Sequence, residues 1–289
     1  MQKYLSNYAP SLGELWLIML VFLCLGGSII GSLVAIILSH ILPVDTIALS
    51  LALYPLTFAV AIPFILIRAK RNYSQKVLHG VTIHTETSYS FGSLHGVLFF
   101  ALLFLLIPAF NIVIEPFTVW MKMPEFLKEL FGTMGNQGWI SVLSLVVMAP
   151  LLEEWLCRRV ALKGLIKNGY SPAAAIIWSA LMFGVIHMNP WQAIPAFLIG
   201  LLFGWVYWRT NSLWSVIFLH AVNNGLSMIF VWTFPDLPED VSTYEAVGPT
   251  WYYPVFALSL IVVVSIIYLF YKKLSISAPL FDKTTPPTS

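Results

Sequence analysis

The chain has 289 residues, 59% of them hydrophobic and 10% charged, where an ordinary soluble domain carries about 25% charged residues. That composition excludes a soluble enzyme domain, and a net charge of +2 provides no basic surface for nucleic acid. The two cysteines, Cys24 and Cys157, both fall in apolar runs and supply no disulfide framework.

Apolar runs of about 20 residues, the length of a membrane-spanning helix, predict eight spans. The first, 15–42, is far longer than the apolar part of a cleavable signal and lacks a clear basic start, so it is expected to persist as a span. The second, 46–67, is followed by Arg68, Lys70, Arg71 and Lys76 and then by a polar connection containing Thr82, His84 and Glu86. The third is 93–114. After it, Phe126, Leu127, Leu130 and Phe131 alternate with Lys122, Glu125, Lys128 and Glu129, the spacing of an amphipathic helix lying on the outer surface.

The fourth span, 139–160, runs out into Arg158, Arg159, Lys163 and Lys167. The fifth, 171–188, and the sixth, 191–207, are separated only by Asn189 and Pro190, which predicts a short hairpin with its turn inside the bundle. The seventh, 213–232, precedes an acidic loop with Asp236, Glu239, Asp240 and Glu245, and the eighth, 252–271, ends at Lys272 and Lys273. Residues 278–289 read as a disordered tail. Gly27 with Gly31, and Gly200 with Gly204, have the small-xxx-small spacing of closely packed membrane helices.

The expected fold is therefore an all-α, polytopic integral membrane protein of about eight transmembrane helices with a polar site inside the bundle. Its parts are residues 1–138 (three helices and their loops), 139–232 (a core of helices four to seven) and 233–289 (acidic loop, last helix and tail). The distribution of Lys and Arg places both termini in the cytoplasm of a multi-pass cell-membrane protein. The lipid bilayer is its surroundings, and oligomeric state is not legible.

Within the fourth run stand Glu153, Glu154 and Arg158. A charge near the bilayer centre costs about 2.5–3.5 kcal/mol even on the lenient insertion scale, so three together call for compensation. Residues four apart share a helix face, which pairs Glu154 with Arg158. Glu153 points about 100° away around the helix and is left without that partner. His187 on the fifth run, four residues after Phe183, and His220 on the seventh, four before Asn224, bring further polar groups to bundle depth. Glu, His and His-plus-Asn on three helices form a set that can bind and activate water.

These residues form three motifs in order: EExxxR over 153–158, FxxxH over 183–187 and HxxxN over 220–224. Together they resemble the CAAX protease and bacteriocin-processing (CPBP) family of intramembrane endopeptidases, over roughly residues 139–231. The resemblance implies an enzyme that hydrolyses a peptide bond in a membrane-presented peptide or protein. It implies Glu153 as the base that activates water, His187 as a holder of that water, and His220 and Asn224 as stabilisers of the oxyanion. Glu154 and Arg158 would orient the catalytic helix, and Phe183 would pack the site. Glu153, His187 and His220 would also suit zinc, in keeping with the family's metallopeptidase classification. The absence of HExxH and the amide of Asn224 favour a mechanism with no metal cofactor. The alternative is a non-catalytic immunity or regulatory protein that binds a bacteriocin or a sensor partner. The substrate, whether a prenylated CAAX tail, a bacteriocin leader or a pheromone, is not specified by the residues.

Overall fold

The computed structural model describes residues 2–81, 89–234, 237 and 241–274. His84 and its polar neighbours, the acidic residues Asp236, Glu239 and Asp240, and the tail from Ala278 lie outside the described residues. Every regular element among the described residues is helical. After a helical turn at Gln2–Leu5, the chain forms α1 (Leu12–Ser39), α2 (Thr46–Ala52), α3 (Tyr54–Leu78), α4 (Gly96–Phe117), α5 (Glu125–Gly135), α6 (Trp139–Lys167), α7 (Pro172–Val185), α8 (Pro190–Thr210), α9 (Leu213–Thr233) and α10 (Thr243–Lys273).

The all-α, multi-span expectation holds, and among the described residues six or seven helices meet the length and hydropathy of a span, beside the eight read from the sequence. Six helices (α1, α4, α6, α8, α9 and α10) are long and apolar enough to cross a membrane, and α2 with α3, bent by 51°, makes a seventh if counted as one broken span. The expected fifth span is only the 14 residues of α7, which at about 1.5 Å per residue falls short of a hydrocarbon core about 30 Å thick. Its apolar run continues to Met188, yet the backbone has already turned there, with Met188 at φ 55°. Asn189 then caps α8 by accepting from the Gln192 N–H, and Pro190 occupies the first helical position.

Two prolines break the helices that carry the polar centre. Pro55 has no N–H to offer the carbonyl of Leu51, four residues earlier, and the chain bends there. The Leu51 carbonyl instead accepts from the Ser144 hydroxyl of α6 at 2.6 Å. In α6, residues Val142–Met148 and Trp155–Leu162 are π-helical, a form that collects at functional sites. The Ala149 N–H reaches back five residues to Ser144. The next donor in that register would be Pro150, which has none, and the Leu145 carbonyl accepts from the Asn224 side chain of α9 at 2.8 Å. Inside a bilayer an unmatched carbonyl costs several kcal/mol, so each break is closed by a polar side chain from a neighbouring helix.

Small residues set the closest approaches. A Cβ on Gly27 would lie 1.9 Å from the Thr57 carbonyl, which fixes α1 directly against the first turn of α3. A Cβ on Gly184 would meet the Ala193 carbonyl at 2.6 Å, and Gly200 and Gly204 face Ala180 and Ile176, so α7 and α8 form a tight antiparallel pair. The glycine spacings read from the sequence thus act in packing.

Basic side chains gather at one end of the bundle. Lys167 donates to the carbonyls of Leu5 and Ser6, Lys76 to that of Asn7, and Lys163 to the Asn211 amide oxygen. Arg209 donates to the carbonyls of Phe270, Tyr271 and Leu274 at the end of α10, where the last turn has carbonyls without helical partners; that of Phe270 also accepts from the Leu274 N–H. At the opposite end, Trp191 donates to the Lys122 carbonyl, Ser141 to that of Met134 and Trp232 to that of Gly135. The predicted amphipathic helix is α5, with Leu127 buried and Phe126 and Leu130 exposed.

Candidate active site

Arg158 and Glu154 are fully buried, with Arg158 Nε 2.9 Å from Glu154 Oε2. The pair lies off the hydrogen-bonding direction and is ionic. Arg158 Nη1 donates to the Ser179 hydroxyl at 2.9 Å, which in turn donates to the Cys157 carbonyl at 2.7 Å. The guanidinium carbon is 4.9 Å from the Phe183 ring centroid and 5.9 Å from that of Phe203, within cation–π range. Ser179, Phe183 and His187 follow one another at four-residue intervals on one face of α7 and its continuation, a spacing already present in the sequence.

The second oxygen of Glu154, Oε1, lies 3.0 Å from His220 Nδ1. With Glu154 ion-paired to Arg158, Nδ1 is the donor to the carboxylate, and a neutral His220 then carries its lone pair on Nε2. The pairing of Glu154 with Arg158 expected from their spacing is present, and the structure adds a second partner: Glu154 bridges Arg158 to His220 and fixes the imidazole. The Phe183 ring stands edge-on to both histidine rings, with centroids 5.3 Å from each. His187 Nδ1 is 2.8 Å from the Phe183 carbonyl. A carbonyl only accepts, so Nδ1 bears the proton and Nε2 the lone pair.

Glu153, turned away from Arg158, has its partner on another helix. Its Oε1 accepts from the Tyr54 hydroxyl at 2.5 Å. Its Oε2 is buried with no hydrogen-bond partner among the described residues. No hydrogen bond joins Glu153 to His187, His220 or Asn224. Tyr54 lies 99 residues away in the chain at the Pro55 break, and only that break marked the position in the sequence.

Asn224 is held by its amide. One N–H is spent on the Leu145 carbonyl, and Oδ1 accepts from Asn223 Nδ2 at 3.2 Å, while Asn223 Oδ1 accepts from Asn111 of α4 at 2.9 Å. Nδ2 of Asn224 has no second acceptor among the described residues. Asn224→Ala is expected to lower stability by about 1–3 kcal/mol, the cost of leaving one acceptor unmatched. Reversible unfolding in mixed micelles measures this, and no change would mean that water serves the Leu145 carbonyl equally well.

The zinc set Glu153, His187 and His220 does not converge. Among the described residues no three His, Cys, Asp or Glu side chains come close enough to share an ion. His220 is turned toward Glu154, and the Phe183 ring touches both histidines. The residues as arranged do not fit a zinc ion.

Residues 135–226, about a third of the chain, match the family model described as type II CAAX prenyl endopeptidase Rce1-like. The matched segment contains every residue of the three motifs from Glu153 to Asn224, and it leaves Tyr54 and Asn111 outside. No curated protein and no solved structure gave a match.

Proposed function

We propose that the chain is an intramembrane endopeptidase of the CAAX type, using Glu153 to activate water against a peptide carbonyl. The observation that carries this reading is the buried contact chain Arg158–Glu154–His220–Phe183–His187, in which three separate motifs on three helices meet; Glu153 adjoins this chain as the residue before Glu154. The family match over the same segment supports it.

In the reaction, water attacks the carbonyl carbon while its proton passes to Glu153 Oε2, the oxygen not engaged by Tyr54. His187 Nε2 accepts the water's second O–H and orients it. The oxyanion is met by the remaining Asn224 N–H and by His220. The tautomer sets a condition on that second role, because Nε2 of His220 donates only in the imidazolium form, with Glu154 balancing the added charge. The proton taken by Glu153 is returned to the departing amine, so the site ends as it began. The basic end of the bundle, with Lys76, Lys163, Lys167 and Arg209, is assigned to the cytoplasm of a cell membrane, which puts the described N-terminal turn and the end of α10 on that side.

Membranes from cells with and without the chain are expected to differ in a defined set of peptides by mass spectrometry. The same cleavage by purified protein in vesicles is expected to survive exhaustive chelation. Identical peptide sets would favour the non-catalytic reading, and loss on chelation that zinc restores would overturn the metal-free mechanism.

A further inference from the structure

Glu153 is a base with two oxygens, and the chain treats them differently. Oε1 is engaged by Tyr54 at 2.5 Å, whereas Oε2 has no hydrogen-bond partner among the described residues. A carboxylate free to rotate would present either oxygen to water, and each reorientation would take it out of line. One short hydrogen bond removes that freedom.

Tyr54 is itself held firmly. It opens the first turn of α3, where its carbonyl accepts from the Thr57 hydroxyl at 2.7 Å and its ring meets that of Phe58 edge-on, with centroids 5.9 Å apart. The same turn is pressed by Gly27 of α1 so closely that a Cβ there would overlap the Thr57 carbonyl. On the other side of the break, Ser144 of α6 ties the Leu51 carbonyl to the helix that carries Glu153. The bend of 51° between α2 and α3 therefore delivers the hydroxyl to the carboxylate, whereas an unbroken span would carry that position past it.

We infer that Tyr54, from the N-terminal part of the chain and outside the family-matched segment, is the positioning residue that anchors Glu153 Oε1 and directs Oε2 to the water. This rests on the protease reading above. It makes the broken span α2–α3 part of the active site, so the segment 135–226 does not constitute a complete site.

The test uses the full chain in lipid vesicles with a prenylated peptide ending in a CAAX sequence as probe, together with the membrane peptides that depend on the active chain. Tyr54→Phe keeps the ring and its packing and removes only the donor. It is expected to lower kcat about 10- to 100-fold with KM within about twofold, the signature of misplaced chemistry and not of lost substrate binding. Replacing Tyr54 with 4-aminophenylalanine, which restores an N–H donor at the same place, is expected to recover most of the loss. A merely structural ring would give equal activities for the two variants. Cleavage that requires Glu153 but is unchanged by Tyr54→Phe, or is equally poor in both variants, would overturn this inference alone. No Glu153-dependent cleavage by the wild-type chain would overturn the protease reading and this inference with it.

Discussion

Arg158→Met is expected to destabilise the folded chain by about 3–5 kcal/mol, the cost of stranding a buried charge. Arg158 is 0% exposed and Glu154 faces it from one helical turn away, also at 0%. Removing the guanidinium leaves Glu154 with only His220 to balance it, and Ser179 loses the donor to its hydroxyl. Methionine fills most of the volume beside Phe183 and Phe203, so lost packing contributes less than the lost charge. The double variant Arg158→Met with Glu154→Gln is expected to regain a large part of the loss, because removing both charges costs less than removing one. Unfolding of purified protein in mixed micelles supplies the comparison, and additive losses in the double variant would show that the two side chains act independently.

Glu153→Gln is expected to reduce cleavage about 10²- to 10⁴-fold, the usual range for a lost general base, while leaving the fold intact. The amide oxygen of glutamine still accepts from the Tyr54 hydroxyl, so the contact that seats the side chain persists. What glutamine lacks is an oxygen that can take a proton from water. The two substitutions thus separate neighbouring residues by role: change at Arg158 acts on stability first, and change at Glu153 acts on chemistry first.

How much of this was legible in the sequence depended on distance along the chain. The ion pair of Glu154 and Arg158 is a four-residue contact fixed by helix geometry, and it was readable at once. The three motifs and the membrane setting were readable for the same reason, since each lies within one apolar run. The bond from Tyr54 to Glu153 was not, because it spans 99 residues and depends on where a helix bends. Hydropathy passes smoothly through Leu51–Pro55, but the hydrogen bonds do not. The length of α7 is hidden in a similar way: Ile186 to Met188 are as apolar as the helix before them, yet the chain reverses there. The partner of His220 was hidden for a third reason. Glu153 and Glu154 are adjacent, and which one meets the imidazole is decided by the packing of α9 on α6, whose π-helical stretches alter the regular advance of 100° per residue.

The most direct measurement places the purified full chain and its Glu153→Gln variant side by side in lipid vesicles with the prenylated CAAX peptide and with extracted membrane peptides, and follows the release of new termini. Cleavage by the wild-type chain that falls at least about 100-fold in a variant unfolding at the same denaturant concentration is the result predicted. Equal cleavage by both proteins, or none by the wild-type chain on either set of peptides, would contradict the assignment of Glu153 as the base of an intramembrane protease.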